Sequence, residues 1–553
     1  MDLEKKVSEV AKKYALLNAL EFGKANEKAV IGKVFAELKE AKNKAKDILK
    51  IVKEIVNEVN SLSHEEIKKL CSQLELLKER EKRKQQKTLP ELPVKTKPVF
   101  RIAPNPNGPL HIGHARMVVL NDEYAKKYNG KLILRFDDTD PKNPAKRAIK
   151  EAYQMIREDL KWLNVTWHEE IIASQRLEIY YKWFEKCIEK GIAYICTCDA
   201  EEWRKKVREQ RIPCECRKRS INENLELWKK MLCYEFKENE AVGRIKTSLQ
   251  ETDPAVIDWV AFRIVDNPQH PLYPQNPPKV WPTLDFASAI DDKLCGVTHI
   301  LRGKDLAICE KRQRILYKAF GWEYPKVFVF GKIFSEEYVF STSKIREQIE
   351  KKVFSGFDDP RLPTLRAFKK RGITPQAIRN YIISLGLNEA ETKFDPKILY
   401  AENRKIIDPI AKRFFFVENP VEIELSEIPL EKVKAPLYPD KSQYREIEIS
   451  EKIFVEKQDF EKLKGKEVRL MHFCNVILDK KAEVTGIENK DIPKIHWVSE
   501  KSYVEARLIY PEKSVKGYAE KNIENVEKNE IVQFERVGFA RCEEKLLFFF
   551  AHK

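Results

Sequence analysis

RIAPNPNGPLHIGH, residues 101–114, is the stretch that decides the fold of this 553-residue chain. The apolar residues Val99 and Phe100 lead into it and predict a buried strand, and its Pro, Gly and Asn content predicts a loop. Apolar side chains then recur at helical spacing from Ala115 to Tyr128, which predicts a helix. A strand, a tight loop and a helix start direct backbone N–H groups and the positive end of the helix dipole toward an anion.

Two histidines stand at the start of this predicted helix. His111 and His114 are three positions apart and share one helical face, where their ring nitrogens can donate to phosphate oxygens. Gly113 lies between them and leaves room for a flat base against the backbone. A histidine pair on a helix is more often a core or surface feature, so the surrounding strand, loop and helix are what favour a nucleotide site.

Length and composition predict a multidomain globular protein. The chain has 42% hydrophobic residues and no apolar run approaching about 20 residues, so no membrane association is expected. Its N-terminus, MDLEKKVSEVAKKY, is charged and does not read as a secretory signal. The 11 cysteines follow no regular disulfide framework, which indicates a reducing compartment and a cytoplasmic protein.

The charge balance is basic, with 103 Lys and Arg residues against 87 Asp and Glu residues and a net charge of +16. Such an excess suits a polyanionic partner. A lysine-rich proteome would give the same excess, so charge alone does not identify the partner. No GxGxxG motif occurs, and Gly303-Lys304 lacks the following Ser or Thr of a phosphate loop, so the usual signals of kinases and dinucleotide enzymes are missing.

A second motif follows the first along the chain. Residues 135–141, RFDDTDP, and residues 101–114 together resemble the first signature region of class I aminoacyl-tRNA synthetases, in the glutamyl/glutaminyl subgroup. The resemblance implies a Rossmann-like α/β catalytic domain that uses ATP with Mg²⁺. The residues it implies at ATP are Pro104, Asn105, Pro106, Asn107, Gly108, Pro109, Leu110, His111, Ile112, Gly113, His114, Lys332 and Lys344.

An acidic cluster follows the predicted strand Leu132–Phe136. Ligands of open α/β sheets bind beyond the carboxyl ends of the strands, so we expect Asp137 at the substrate crevice, where a carboxylate can hold an α-ammonium group. The resemblance implies the same role for this residue. The alternatives for the cluster are a metal site and a solvated turn.

Arg302 stands at the substrate end of another predicted strand, Val297–Leu301. A guanidinium is a permanently charged donor fork, which suits a substrate γ-carboxylate better than an amide. In the resembled family this position is arginine in glutamyl enzymes and typically cysteine in bacterial glutaminyl enzymes, so Arg302 favours glutamate. Leu284 stands where several relatives have tyrosine. The expected glutamate-binding residues are Arg101, Ala103, Asn105, Asp137, Leu284 and Arg302.

The second signature of the resembled family is present in a changed form. Residues 340–345, FSTSKI, resemble the KMSKS loop and keep its central Ser343 and Lys344. Lys344, expected on a mobile loop, would neutralise charge that develops on the pyrophosphate. The expected catalytic residues are His111, His114, Ser343 and Lys344. Residues 356–364, GFDDPRLPT, match a further family motif and predict a rigid turn.

Four cysteines form two CxC pairs, Cys196 with Cys198 and Cys214 with Cys216. Four thiolates at this spacing can bind one tetrahedral Zn²⁺ ion, and a reducing compartment favours metal over disulfides. Free thiols are the alternative. Any zinc bound here would be structural, since four protein ligands leave no open position.

Changes in composition divide the chain into seven predicted regions. They are a helical N-terminal extension (1–82), a linker (83–98), the first half of the catalytic domain (99–191), an acceptor-binding insertion (192–280), the second half (281–335), a signature-loop and helical stem-contact region (336–403) and one or two antiparallel β-barrels for the anticodon (404–553). In the last region, candidate strands lie at 422–425, 445–449, 467–470, 496–498, 504–509, 531–537 and 546–551. The N-terminal helices either contact RNA or form a docking bundle that does not.

The resemblance to archaeal-type glutamyl-tRNA synthetases extends over almost the whole chain. It implies activation of L-glutamate by ATP and transfer to tRNA(Glu), and it leaves transfer to tRNA(Gln) open as a second reaction. A glutaminyl-tRNA synthetase is the first alternative and is opposed by Arg302. An enzyme that glutamylates a modified base is opposed by residues 404–553, and an inactive tRNA-binding paralogue by the intact signature residues.

Overall fold

A computed structural model of the chain describes residues 2–38, 45–73 and 89–553. The chain forms two compact units, Met1–Pro90 and Glu91–Lys553. The charged run Lys78–Lys87 and part of the predicted linker 83–98 lie outside the described residues. Within the described ranges, no helix combines the length and the apolar character needed to span a membrane.

The first unit is helical, as predicted. Its helices are α1 (Asp2–Phe22), α2 (Glu27–Glu37), α3 (Ala45–Asn60) and α4 (His64–Gln73). The apolar stripe of α3 is buried in the unit's own core, at Ile48, Val52, Val56 and Val59. Ser63 and Glu66 form a capping box ahead of α4: the Ser63 N–H donates to the Glu66 carboxylate, and the Glu66 N–H donates to Ser63 Oγ.

The second unit begins with a parallel sheet and the helices that connect its strands. These elements are β1 (Val99–Ile102), α5 (Ile112–Lys127), β2 (Lys131–Phe136), α6 (Lys150–Trp162), β3 (Glu169–Ile172) and α7 (Leu177–Glu189). The strands pair in the order β1-β2-β3. Helix α5 starts at Ile112, in the two-histidine turn expected at its start and ahead of the apolar spacing that begins at Ala115, and His111 caps its N-terminus.

An insertion then adds a separate antiparallel sheet. Its elements are β4 (Ala193–Cys196), α8 (Ala200–Trp203), α9 (Ile221–Leu232), β5 (Val242–Ile245), β6 (Val260–Ile264) and β7 (Val280–Pro282), and the strand order is β4-β5-β6-β7. Aromatic side chains fill the core between this sheet and α7. Phe184 of α7 contacts Trp228 and Phe262 at ring distances of 4.7 and 4.9 Å.

The parallel sheet resumes after the insertion, with α10 (Leu284–Leu294), β8 (His299–Gly303), α11 (Ala307–Phe320) and β9 (Lys326–Phe330). Strands β8 and β9 are parallel, and the Thr298 N–H donates to the Val99 carbonyl at 3.0 Å, which brings β8 alongside β1. The two halves of the sheet therefore meet at β1 and β8. In open α/β sheets, this meeting point is where ligands bind, beyond the carboxyl ends of the strands.

A helical region follows, with β10 (Ile333–Phe334), α12 (Thr342–Glu350), α13 (Leu365–Arg371), α14 (Pro375–Leu385), β11 (Thr392–Lys393) and α15 (Pro396–Ile407). The second signature is the start of a helix and not the expected loop, since Ser341 occupies the N-cap position of α12 and Lys344 lies in its first turn. The turn at residues 356–364 is present. It pairs with the first signature through a hydrogen bond from the Ile112 N–H to the Pro363 carbonyl at 3.0 Å.

The C-terminal region is rich in antiparallel sheet, as predicted. Its elements are β12 (Lys412–Phe414), β13 (Phe416–Val417), β14 (Pro420–Leu425), β15 (Lys432–Pro436), β16 (Tyr444–Glu448), β17 (Lys452–Glu456), α16 (Lys457–Leu463), β18 (Glu467–Leu470), β19 (Asn475–Ile477), β20 (Lys481–Gly486), β21 (Lys494–Ile495), β22 (Trp497–Ser499), β23 (Tyr503–Ile509), β24 (Ser514–Glu520), β25 (Ile531–Phe534), β26 (Gly538–Glu544) and β27 (Leu547–His552). Two seven-stranded sheets result, in the orders β21-β18-β19-β20-β14-β17-β22 and β12-β25-β26-β27-β23-β24-β13, and β15 and β16 form a separate antiparallel pair. The seven candidate strands correspond to β14, β16, β18, β22, β23, β25 and β27. The seven-region division of the chain stays a prediction.

Candidate active site

The two histidines of the first signature hold each other in a defined orientation. The Gly113 N–H donates to His111 Nδ1 at 3.0 Å, and the His111 N–H faces His114 Nδ1 at 3.4 Å. Their rings stack with centroids 3.7 Å apart. Because Nδ1 is the acceptor in each ring, the neutral imidazoles carry their proton on Nε2.

Both imidazoles are neutral near pH 7. Burial, together with the neighbouring His114, holds the pKa of His111 well below its usual value, and burial lowers the pKa of His114 to about 4. Each ring can therefore donate one Nε2–H without carrying a charge. On its Cβ side, Gly113 faces the His111 ring: a Cβ at Gly113 would lie 2.8 Å from His111 Cε1. A base lying against the backbone at Gly113 stays a prediction.

The predicted ATP loop is fixed by contacts to other segments. The side-chain amides of Asn105 and Asn107 donate to the carbonyls of Lys146 and Ala145, each at 2.8 Å. At the end of the loop, the Leu110 N–H donates to Asp159 Oδ2 at 2.9 Å. The loop thus holds its shape through groups outside residues 101–114.

The two signatures lie side by side. The Phe340 ring stacks on His111 with centroids 5.7 Å apart. A Cβ at Gly108 would lie 2.2 Å from Thr342 Cγ2, so the missing side chain at Gly108 lets the first loop touch the start of α12. Lys344 is exposed at this junction.

Two other predicted residues, Ser343 and Lys332, lie near the two signatures but contact other groups. Ser343 Oγ lies 3.1 Å from Ser341 Oγ, so the Ser343 hydroxyl has a partner within the second signature. Lys332 follows Gly331, whose carbonyl accepts a hydrogen bond from Arg116 of α5 at 2.7 Å. This contact places Lys332 near the first signature. Lys332 itself is exposed and pairs loosely with Asp305, at 3.6 Å.

The predicted glutamate-binding residues, apart from Asn105, line one cavity of about 50 Å³. They are Arg101, Ala103, Asp137, Leu284 and Arg302, and they are joined there by Met117, Arg135, Ser288, Leu301, Gly303, Leu306, Cys309 and Gln313. The histidine turn is not part of this lining. Asp137 and Arg302, the two oppositely charged groups expected at the substrate, therefore line the same cavity, whose other residues come from β1, β2, β8, α5, α10 and α11.

Two of the three arginines in the cavity are paired with carboxylates. Asp292 accepts from Arg101 Nε at 3.2 Å and from Arg135 Nη1 at 2.6 Å, while Arg135 Nε donates to Asp137 at 2.6 Å. Burial alone would raise the pKa of Asp292, but the two guanidiniums outweigh it, and the pKa lies below its usual value. Burial dominates at Asp137 and raises its pKa.

Arg302 is held differently, by neutral groups only. Its Nη1 donates to the Leu306 carbonyl at 3.4 Å, and its Nη2 donates to Gln313 Oε1 at 3.3 Å and to Tyr324 Oη at 3.4 Å. Its buried Nε has no hydrogen-bond partner. Among the described residues, the ion pairs of this cavity all belong to Arg101 and Arg135. Arg302 therefore has no carboxylate in direct contact, although its charge is one of those that lower the pKa of Asp292.

Sequence reasoning missed Arg135, Asp292 and Gln313 as site residues. A signal existed for Arg135, because a charged residue inside the apolar strand LILRF must find a partner when the strand is buried. Asp292 and Gln313 lie on helices far along the chain. Only the folded arrangement brings them to the cavity.

The four cysteines of the insertion come together outside this cavity. Their Sγ atoms all lie within 4.8 Å of one another, and Cys198 Sγ lies 3.6 Å from Cys216 Sγ. Zn–S bonds of about 2.3 Å in a tetrahedron place sulfurs about 3.8 Å apart, so the four thiols fit one zinc ion. The Thr197 N–H points to Cys216 Sγ at 3.4 Å, a contact that would support a bound thiolate.

Comparison with known proteins agrees with this geometry. Residues 97–409 match the family described as tRNA synthetases class I (E and Q), catalytic domain. The chain belongs to this family. Residues 411–496 and 494–543 match the two anti-codon binding domains of the same class I (E and Q) synthetases.

Full-length relatives of the class I (E and Q) family are similar over the whole chain. The glutamate–tRNA ligase of Archaeoglobus fulgidus is 46% identical over 99% of this chain and 100% of its own length. The glutamate–tRNA ligases of Pyrococcus furiosus and Pyrococcus abyssi are also each 46% identical, again over 99% of this chain and 100% of their own lengths.

Proposed function

We propose that this chain activates L-glutamate with ATP and transfers the glutamyl group to the 3′ end of tRNA(Glu), as a glutamyl-tRNA synthetase. The similarity to full-length glutamate–tRNA ligases supports the substrate class, and the match to anti-codon binding domains supports the tRNA partner. The observation that carries the proposal is the charge of Arg302. This buried guanidinium has no carboxylate of its own to pair with, in a cavity that also holds Asp137.

The choice between glutamate and glutamine follows from that charge. A γ-carboxylate would give Arg302 a charge-assisted partner, whereas the amide of glutamine would leave its charge uncompensated in a buried site. Asp137 would hold the α-ammonium group, and Arg101 would contact a substrate carboxylate. A glutaminyl-tRNA synthetase is therefore the less favoured alternative.

The reaction would be a displacement at phosphorus that depends on positioning and charge stabilisation. The substrate carboxylate attacks the α-phosphorus of ATP, and pyrophosphate leaves. His111 and His114 would donate their Nε2–H groups to phosphate oxygens, and Lys344 would approach the pyrophosphate from α12. Mg²⁺, bound with ATP, would supply further positive charge at the phosphates.

A pyrophosphate-exchange assay tests the proposal, with glutamate, glutamine or no amino acid, each with and without tRNA. We expect exchange only with glutamate, and a loss of about 100-fold in kcat/KM for glutamate in Arg302→Gln, because a charged hydrogen bond in a buried site is lost. Lys318→Gln, which removes an exposed charge from the neighbouring helix α11, is the matched control. Exchange that prefers glutamine would refute the proposal.

We further propose a structural zinc ion at Cys196, Cys198, Cys214 and Cys216. The closeness of the four thiols supports it, and all 11 cysteines of the chain are free. Zinc content per chain, measured by atomic absorption, should fall from about one to near zero in Cys196→Ser and Cys216→Ser. Cys233→Ser, at an exposed cysteine of the same insertion, should leave it unchanged. A wild-type chain without zinc would end this proposal.

Two predictions about substrates and location remain. Charging of tRNA(Gln) depends on how the C-terminal sheets discriminate anticodons, and aminoacylation with both tRNAs tests it directly. A cytoplasmic location is proposed from the free cysteines. Fractionation of the source cells tests that location.

A further inference from the structure

The side-chain amide of Gln313 is the buried group that holds Arg302. Gln313 lies on α11 and is 1% exposed. Its Oε1 accepts from the Tyr324 hydroxyl at 2.6 Å and from Arg302 Nη2 at 3.3 Å. The same Tyr324 oxygen accepts from Arg302, at 3.4 Å, so both side chains that accept from the guanidinium are neutral, like the Leu306 carbonyl.

The opposite end of the amide is also fixed. Gln313 Nε2 donates to Ser288 Oγ at 2.6 Å and to the Asp285 carbonyl at 3.2 Å, and the Ser288 hydroxyl donates onward to the Leu284 carbonyl at 2.6 Å. A flipped amide would turn its NH₂ group toward the donors of Arg302 and Tyr324. The network therefore allows one orientation, in which a neutral oxygen faces Arg302.

Comparison of the three arginines shows what this neutrality does. Arg101 and Arg135 each have a carboxylate in contact, from Asp292 or Asp137, and their charges are offset inside the protein. Arg302 is buried to a similar degree, but no carboxylate contacts it, and its charge reaches Asp292 only through space. A carboxylate in place of the Gln313 amide would reach the same Nη2 and cancel the charge that selects the substrate.

We propose that Gln313 is a specificity-determining positioning residue, which orients Arg302 through a neutral acceptor and so preserves its positive charge for a substrate carboxylate. The inference rests on the proposed function, because it assigns Gln313 to the discrimination between glutamate and glutamine. Gln313 acts through Arg302, with Tyr324 as its partner. It is not assigned a contact with the reacting atoms.

The decisive variant is Gln313→Glu, which keeps the shape of the side chain and adds one negative charge. We expect KM for glutamate to rise about 100-fold, because Arg302 then pairs with the internal carboxylate, while kcat changes by less than about 3-fold. Glutamine is scored both as a substrate and as a competitive inhibitor of glutamate-dependent exchange. Its inhibition constant should change by less than about 3-fold, since no charged contact to glutamine is lost.

Gln313→Met is the matched neutral control. It removes the hydrogen bonds at nearly constant volume and leaves Arg302 charged, so KM for glutamate should rise by no more than about 10-fold and the preference over glutamine should persist. Thermal unfolding and KM for ATP are measured for both variants to identify a general folding defect. A purely structural Gln313 would weaken glutamate and glutamine to the same extent in Gln313→Glu, and that result would overturn the inference.

Failure of the proposed function and failure of the Gln313 role give different experimental results. Absence of glutamate-dependent exchange in the wild-type chain would refute the proposed function itself. Normal glutamate exchange in the wild type, combined with an unchanged ratio of the glutamate and glutamine constants in Gln313→Glu, would refute only the role of Gln313.

Discussion

His114 illustrates how burial sets the chemistry of a single side chain. Its pKa is lowered from 6.5 to about 4 in the folded chain by burial, whereas the unfolded chain would retain a value of about 6.5. As the pH falls from about 6.5 through about 4, the unfolded state binds a proton that the folded state does not, so this residue reduces stability at acidic pH.

Replacement of His114 by Asn should remove that contribution. We expect the unfolding free energy of the wild type, relative to His114→Asn, to decrease as the pH is lowered from about 7 to about 4 and to stay level above about 7. Urea unfolding at a series of pH values measures the difference. A difference that does not vary with pH would contradict the neutral state assigned to His114.

The candidate site also shows which residues a sequence can and cannot reveal. His111 could be singled out from its motif and Arg302 from its position at the end of a predicted strand, because both are local features of the sequence. The pairing of Arg135 with Asp292 was not, since the two residues are 157 positions apart and meet only when α10 packs against the sheet. The N-cap role of His111 was not predicted either. Histidine is not among the usual N-cap residues, and apolar spacing does not locate a cap.

At the level of elements, the contact between the first-signature loop and α12 depends on one missing side chain. Gly108 lies against Thr342, which is buried, and a Cβ at Gly108 would approach Thr342 Cγ2 to 2.2 Å. That approach is far inside van der Waals contact, so any larger residue must displace the buried Thr342 side chain at the start of α12.

Gly108→Ala should therefore lower activity by displacing the second signature. We expect kcat for pyrophosphate exchange to fall about 10-fold, because Lys344 moves with α12 and small displacements at a reacting centre are costly. Thr342→Ser removes the Cγ2 methyl and keeps the hydroxyl, so the double variant should recover most of kcat. Equal rates for the single and double variants would show that this contact does not position α12.

For the fold as a whole, the sequence predicts the strands and the sheets but not the contacts between distant segments. Alternating patterns predicted the C-terminal strands, and signature motifs predicted the parallel sheet, because both are periodic or local features. The sequence predicts a loop at residues 340–345, because the short polar run FSTSK has no helical periodicity of its own. In the structure a helix starts there, at Thr342. Contacts between distant segments, such as the pairing of Ile112 with Pro363, leave no local signal.

At the scale of the whole Glu91–Lys553 unit, Arg371 joins the catalytic region to the C-terminal sheets. It ends α13 and is 4% exposed. Its guanidinium donates to the carbonyls of Phe550 and Ala551 in the last strand, β27, and to the Tyr400 hydroxyl at 2.9 Å. This buried side chain is thus one of the contacts that hold the C-terminal sheet against the helices beside the first signature, together with those of Asn403 and Arg541.

Arg371→Met should loosen that junction while leaving the glutamate cavity intact. A tRNA that must reach both the active site and the C-terminal sheets would then bind to a less defined arrangement, so we expect KM for tRNA to rise about 10-fold and KM for glutamate to stay within about 2-fold at saturating tRNA. The unfolding free energy should fall by about 2–3 kcal/mol, because buried carbonyls lose a charged donor.

Lys369→Met, at an exposed lysine of the same helix, removes the same charge without touching β27 and controls for electrostatic attraction of tRNA. If Arg371→Met binds tRNA as well as Lys369→Met does, the position of the C-terminal sheets does not depend on this residue, and the junction must be held by its other contacts, such as that of Asn403 with His552.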